Sequence, residues 1–185
     1  MPVLEPSIPL KHERSDDAAL VERLSNGDLE ALDVLFHRYA SALVNLARRV
    51  TGSSVDAEDV VQDLFVGLPM AVRRYAERGS FGAWLRTVTV RLALDRVRRR
   101  TRRQEVALDL AGEQTAASET PEVRWDIEGA IAALPDDLRM VFVLKEIEGF
   151  SHAEIGRLLG IRTGTSEVRL HRAMRALRRA LGGGA

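Results

Sequence analysis

The stretch EGFSHAEIGRLLGIRTGTSEVRLHRAMRAL, residues 148–177, decides the fold. Ser151 and Glu154 form an S-x-x-E capping box, which starts a helix by satisfying two otherwise orphaned backbone N–H groups. Ile155, Leu158 and Leu159 give that helix one apolar face. Gly160 supplies the stop, since glycine enters the left-handed conformation that ends helices without steric cost. Ile161 plugs the turn. In the next helix Ser166, Leu170, Ala173, Met174, Leu177 and Leu181 share one side, while Arg169, His171, Arg172, Arg175, Arg178 and Arg179 occupy the others. A short helix, a tight turn and an Arg-rich helix make the helix-turn-helix pattern, which lays its second helix in a DNA major groove. Helical hairpins with solvated arginines also exist that bind nothing. The coincidence of cap, turn and one-sided basic helix favours DNA reading.

Composition narrows the alternatives. A chain of 185 residues makes one medium domain or two small ones. It has no cysteine, which excludes disulfides and thiolate metal sites. His12, His37, His152 and His171 do not stand at metal-ligand spacing, so no metal is expected. No phosphate-binding Gly loop and no nucleophile–base pair is present, so the sequence reads as a non-enzyme with no catalytic residue and no cofactor. No uncharged stretch approaches the roughly 20 residues that cross a bilayer. The start, MPVLEPSIPLKHERSDD, lacks a signal-peptide hydrophobic core. A cytoplasmic location without membrane insertion is expected.

The net charge of zero conceals segregation. Residues 16–63 hold 10 acids and 4 bases, net −6; residues 64–103 hold 2 acids and 11 bases, net +9. Residues 104–137 hold 9 acids and 1 base, net −8; residues 138–185 hold 4 acids and 9 bases, net +5. Two basic blocks between acidic ones imply two nucleic-acid contacts and at least one surface of another kind. Apart from Lys11 and Lys145, every basic side chain is Arg, the residue suited to bidentate contacts with phosphate and guanine. A GC-rich genome produces the same bias.

The periodicity is helical almost throughout. Residues 1–15, with three prolines, read as a loose arm. Ala18 to Leu24 forms a short helix, and Gly27 ends it. Asp28 caps a long helix with Leu32, Leu35, Phe36, Tyr39, Leu43, Leu46, Ala47 and Val50 as its core stripe, running to Gly52. A third helix starts near Asp56, its first turn acidic in keeping with the helix dipole. Val60, Val61, Leu64, Phe65 and Leu68 face the core there, with Asp59, Gln62, Asp63 and Val66 opposite, and Pro69 interrupts or restarts it. Residues 76–80 read as a loop, with Ser80 capping a fourth helix of stripe Phe81, Trp84, Leu85, Val88 and Leu92. That helix ends in the basic run RVRRRTRR, residues 96–103. Residues 104–124 are acidic, lose periodicity and read as a flexible linker. Ile127, Ile131 and Leu134 open a second domain, in which Pro135 precedes a helix from Asp137 to Ile147. The expected fold is all-α: two small helical domains, 16–103 and 125–181, joined by the linker 104–124, with a tail at 182–185.

These residues carry a resemblance. LPDDLRMVFVLKEIEGFSHAEIGRLLGIRTGTSEVRLHRAMRAL, from Leu134, resembles region 4 of bacterial RNA polymerase sigma factors, above all the extracytoplasmic-function (ECF) group. AEDVVQDLFVGL resembles the region 2 signature D-x-x-Q-x-x-F through Asp59, Gln62 and Phe65. FGAWLRTVTVRLALDRVRRR resembles a further region 2 stretch through Phe81, Trp84, Leu85, Asp95, Arg98 and Arg99. The motifs stand in family order and cover about residues 16–181.

The resemblance implies a specificity subunit that binds core RNA polymerase and directs it to promoter DNA. Region 2 would dock on the beta-prime clamp helices, for which Asp59, Gln62, Asp63 and Val66 are the candidates. It would also open the minus-10 element and capture a flipped base at the loop 76–81. Arg78, Ser80, Arg86, Arg91, Arg96, Arg98 and Arg99 are the minus-10 candidates, since melted DNA needs a positive groove. Region 4 would read the minus-35 duplex and contact the beta flap, with Arg162, Thr163, Thr165, Glu167, Arg169, His171 and Arg172 as candidates. Arg169 and Arg172 are the leading groove and phosphate contacts. An anti-sigma factor often sequesters such proteins. Each patch has a plainer reading as a solvated charged face. For Trp84 the plainer reading, core packing, is preferred, and Asp95 is read as pointing to the same stripe and pairing with a nearby Arg.

The chain departs from the family wording GTVKSRLHRA at three positions: Ser166 replaces a buried Val, Glu167 a Lys, and Val168 a Ser. Glu167 cannot pair with phosphate, but it can accept from a cytosine amino group. Arg162 replaces the Ser that precedes the recognition helix, leaving Thr163 as the expected cap, and Arg91 replaces an Asn linked to minus-10 reading. Two alternatives stay open: a standalone helix-turn-helix regulator, and a degenerate paralogue that titrates polymerase or an anti-sigma factor.

Overall fold

The computed structural model describes residues 14–75, 80–111 and 127–182, and all regular structure among them is helical. The elements are α1 (Arg14–Ser25), α2 (Leu29–Thr51), α3 (Ser54–Ala71), a 3₁₀ turn (Val72–Arg74) and α4 (Phe81–Ala111). There follow α5 (Ile127–Ala132), α6 (Asp136–Phe142), a π-helical turn (Val143–Ile147), α7 (His152–Leu159) and α8 (Thr163–Gly182). The chain divides into two units, Met1–Ala93 and Leu94–Ala185, so α4 contributes to both. The arm at 1–13, the loop residues 76–79 and residues 112–126 lie outside the described residues.

In the first unit, Asp28 caps α2 by accepting from the Glu30 N–H at 2.9 Å. Gly52 ends that helix at φ 70°, a conformation that Cβ-bearing residues pay to enter. Leu35, Leu43, Leu46 and Val50 of α2 are fully buried, as are Leu68 of α3 and Leu85 and Val90 of α4. Asp17 of α1 is buried among them, where it accepts from the Tyr39 hydroxyl and from the Arg38 guanidinium at 2.7 Å. A buried carboxylate is tolerable only when so compensated, and this one ties α1 to α2.

Three expectations are corrected here. Pro69 neither interrupts nor restarts α3, which runs on to Ala71 and then tightens into the 3₁₀ turn. Its missing N–H forgoes one bond, to the Phe65 carbonyl, two residues before the helix ends. The buried stripe of α4 is Phe81, Leu85, Thr89, Val90, Ala93, Leu94 and Val97, while Val88 and Leu92 are only half-buried. Thr89 escaped the apolar pattern because it is polar, yet its hydroxyl is satisfied inside the helix by the Leu85 carbonyl at 2.9 Å. Finally, α4 continues to Ala111, into the stretch expected to be linker.

In the second unit, α8 packs against α5, α6 and α7. Val141, Val143, Leu144, Ile155 and Ala173 are fully buried. The helix expected from Asp137 to Ile147 is α6 followed by the π turn. Arg139, 4% exposed, donates to the carbonyls of Leu134 (3.0 Å) and Ala132 (3.3 Å) and pairs with Asp136 at 2.5 Å. It thereby satisfies the carbonyls left at the end of α5.

Candidate functional site

The first surface lies between α2 and α3. On α2, Leu35, Tyr39, Leu43 and Leu46 face the core, but Leu32, Phe36, Ala40 and Val44 form a second apolar ridge four residues apart. No element covers that ridge among the described residues of the first unit. With Val61, Phe65 and Val66 of α3 it lines a cavity of about 610 Å³, and Phe36 meets Phe65 edge-to-face at 5.0 Å. Phe36 is 44% exposed and Val66 76% exposed, which places large apolar area in water. Asp33, Glu58 and Gln62 stand at its edges.

Of the polymerase-contact candidates, Gln62 and Val66 border this groove. Asp63 is exposed and Asp59 half-buried. The sequence reading placed Phe36 in the core and missed its role as groove floor. The available signal was the width of the α2 stripe, which is too broad for one packing partner.

The second surface surrounds the start of α4. Ser80 accepts from the Ala83 N–H at 3.2 Å, as a cap should. Phe81 sits among Tyr39 (6.1 Å), Tyr75 (5.5 Å) and Trp84 (5.5 Å). Trp84 stacks on Phe81 and tilts against Tyr75, and it is half-buried. Arg78 lies outside the described residues. Arg86 is a correction: it is only 6% exposed, on the buried side of α4 beside Leu85, and does not present itself to a strand of DNA. Arg91, Arg98 and Arg99 are exposed and Arg96 half-buried. Asp95 is also corrected. It is exposed rather than turned to the apolar stripe, though it does pair with Arg98, at 3.5 Å. Within the second unit, Arg98 additionally donates to the carbonyls of Leu158 and Leu159 at 3.4 Å, and Arg100 pairs with Asp136 at 3.2 Å.

The third surface is the hairpin α7–α8. Ser151 and Glu154 form the full reciprocal capping box. The Ser151 hydroxyl, then the Ser151 N–H, hold the Glu154 carboxyl below its ordinary value. Gly160 ends α7 at φ 70°, and the Ile161 N–H returns to the Gly156 carbonyl at 3.0 Å. The turn passes so close that a Cβ at Gly156 would stand 2.8 Å from the Ile161 carbonyl oxygen. The expected cap Thr163 is instead the first helical residue, and the Arg162 carbonyl accepts the first bond, from the Ser166 N–H at 3.1 Å.

Arg162, Thr163, Thr165, Glu167, His171 and Arg172 are all exposed. Arg169 is only partly so, its Nε 3.4 Å from the Asp137 carboxylate. Ser166 is fully buried, with its hydroxyl 2.9 Å from Nδ1 of His152. On the inner side, Ala173 and Leu177 are buried, but Leu181 is 44% exposed.

A small apolar groove and a helix-turn-helix with an exposed first turn stand in one chain, in the order the motifs require. Residues 35–103 match the family described as Sigma-70 region 2, and residues 124–177 match Sigma-70, region 4. The chain is 32% identical over 175 residues to the ECF RNA polymerase sigma factor SigM of Mycobacterium tuberculosis, covering 93% of this chain and 87% of that protein. It belongs to the ECF sigma factors. A 36% identity over 165 residues relates it to the ECF RNA polymerase sigma factor SigE of Mycolicibacterium smegmatis. That match covers 83% of this chain, which spans 64% of the length of SigE. Among solved structures, CnrH in complex with the cytosolic domain of CnrY matches with a TM-score of 0.57 and 28% identity, covering 91% of this chain and 99% of CnrH. In this ECF sigma factor the aromatic cluster and all of the groove except Leu32 and Asp33 fall within the region 2 match. Most of the helix-turn-helix falls within the region 4 match, which ends at Leu177. Among the described residues, no helix is long and apolar enough to cross a membrane.

Proposed function

We propose that this protein binds core RNA polymerase through the α2–α3 groove and directs promoter recognition and opening, reading the upstream element with α8. The observation that carries the proposal is the uncovered apolar ridge of α2 facing Val66 of α3, with carboxylates at its edge. Such a groove suits an amphipathic helical element with basic flanks, the kind of partner that the resemblance assigns to the beta-prime clamp helices. The exposed Arg91, Arg98 and Arg99 suit the phosphates of the opened strand. At the first turn of α8, Arg162, Thr163, Thr165 and Glu167 suit base and phosphate contact in duplex DNA. The two functional domains are residues 16–103 and 125–181, working in the cytoplasm without a reaction of their own. CnrH is seen with the cytosolic domain of CnrY, and by likeness to it this chain is controlled by an anti-sigma partner.

The test is transcription in vitro. Purified protein and core polymerase are given fragmented genomic DNA, and transcript starts are mapped. Discrete starts preceded by two spaced motifs are expected. Core binding without starts would favour the titrating paralogue, a reading supported by the Glu167 carboxylate exposed at the front of α8. No core binding would favour the standalone regulator.

A further inference from the structure

Ser166 stands where the family wording has a buried Val, and its side chain is fully buried. Burying a hydroxyl without a partner costs a few kcal/mol-scale desolvation and is avoided. Here the partner is Nδ1 of His152, 2.9 Å away. With the ring proton on Nε2 the hydroxyl donates; with Nδ1 protonated the ring donates, so either form keeps the bond. His152 is the first residue of α7, next to the cap Ser151, which the Glu154 carboxylate pins. Ser166 lies in the first turn of α8, flanked by the exposed Thr165 and Glu167.

The bond therefore joins the two helix starts of the hairpin. α7 and α8 also pack on each other, with Ile155 and Ala173 fully buried, and the turn through Gly160 ends α7. Apolar contact fixes how closely helices approach, but it is non-directional. A hydrogen bond is directional and resists rotation of α8 about its own axis. That rotation decides where Thr163, Thr165, Glu167 and Arg169 point, and recognition tolerates only about 10–20° of misorientation.

We propose that His152 and Ser166 are positioning residues for α8, whose hydrogen bond sets how sharply the protein discriminates among upstream promoter sequences. The proposal rests on the reading that α8 enters duplex DNA. Neither residue needs to touch a base. The change from Val to Ser at 166 is then a gain of direction, compensating for a first turn that carries Glu167 in place of the usual Lys.

The test uses the full chain assembled with core polymerase. Binding is measured to a promoter duplex recovered by transcript mapping and to duplexes with single substitutions in its upstream motif. The variants are His152→Leu, His152→Asn, Ser166→Val and the double variant His152→Leu/Ser166→Val. Asn keeps a polar group near the place of Nδ1; Leu does not. We expect His152→Leu to shrink the ratio of correct to substituted binding about three- to tenfold. His152→Asn should hold it within about twofold of wild type, and the double variant should be no worse than either single change. Equal ratios for Leu and Asn would overturn the proposal. So would a uniform loss on every duplex with the ratio unchanged, which marks a merely structural contact. His152 is half-exposed, so its variants should fold even where Val at 166 overpacks; thermal unfolding of each checks this. If the wild type itself shows no upstream preference, the reading of α8 fails together with the proposal. If it shows one that the variants keep, only the proposal fails.

Discussion

In the first unit α2 leaves Phe36 and Val66 beside it on α3 facing water, with carboxylates around them. In the second unit α8 buries Ser166, Ala173 and Leu177 and turns Arg162, Thr165, Glu167 and Arg172 outward. Both are amphipathic helices packed on a neighbour, yet one exposes a grooved cluster of apolar side chains and the other, at its business end, exposes the single Val168 among polar neighbours. The difference follows the partner. A protein helix offers apolar side chains, so affinity comes from excluding water over a groove. A DNA duplex offers phosphates and base edges, so affinity comes from charge and hydrogen bonds. The supporting cores differ accordingly: α2–α3 needs only rigid backing, whereas α7–α8 needs an orientation, supplied by the capping box, Gly156 and the Ser166–His152 bond.

The largest expected effect separates the two regions by stability. Gly156→Val places a branched side chain where even a Cβ meets the Ile161 carbonyl oxygen at 2.8 Å. We expect a loss of about 2–3 kcal/mol, in the range of overpacked sites, confined to the second unit. Hydrogen exchange should show α6–α8 loosened and α2–α3 unchanged; equal loosening of both would break the comparison. Next is Phe36→Glu, on a side chain 44% exposed. It should weaken core polymerase binding by about 10–100-fold, the cost of a central apolar anchor, while thermal unfolding barely moves. Unaltered polymerase affinity would remove the groove from the interface.

Smaller effects sharpen the second surface. Arg172→Ala, at an exposed position, should weaken binding to all duplexes alike and lower the salt slope by about 0.9 for one lost phosphate contact. Arg169→Ala should instead act unevenly among base substitutions, by about 1–3 kcal/mol at one position, if it leaves Asp137 to read a base. The smallest effect is Glu154→Gln. The Glu154 carboxyl is held below its ordinary value of 4.5 by Ser151, so its contribution is present above that value and disappears as the pH falls through the lower folded value. At pH 7 the substitution should cost about 0.5–1 kcal/mol as a weakened cap, and the gap to wild type should close in acid unfolding. A gap that persists at low pH would mean the capping box does not carry the effect.

The sequence by itself determined the helices that carry strong local signals. Asp28 with Gly52, and Ser151 and Glu154 with Gly160, mark helix ends by chemistry acting within a few residues, so they are readable without any fold. The motifs at Asp59, Gln62 and Phe65 and along 148–177 likewise carry the family resemblance in sequence alone. Local pattern could not say which of several apolar or charged neighbours the packing would cover. Phe36 and Leu35 read alike, but α3 and its neighbours bury one and leave the other as groove floor. Arg86 and Arg91 read alike, and the side of α4 on which each falls made one buried and one exposed. Ser166 reads in sequence only as a replacement for a buried Val, and the fold bonds it to His152, fourteen residues earlier. Burial and side-chain pairing are properties of surfaces brought together from distant parts of the chain, and only the tertiary structure decides them.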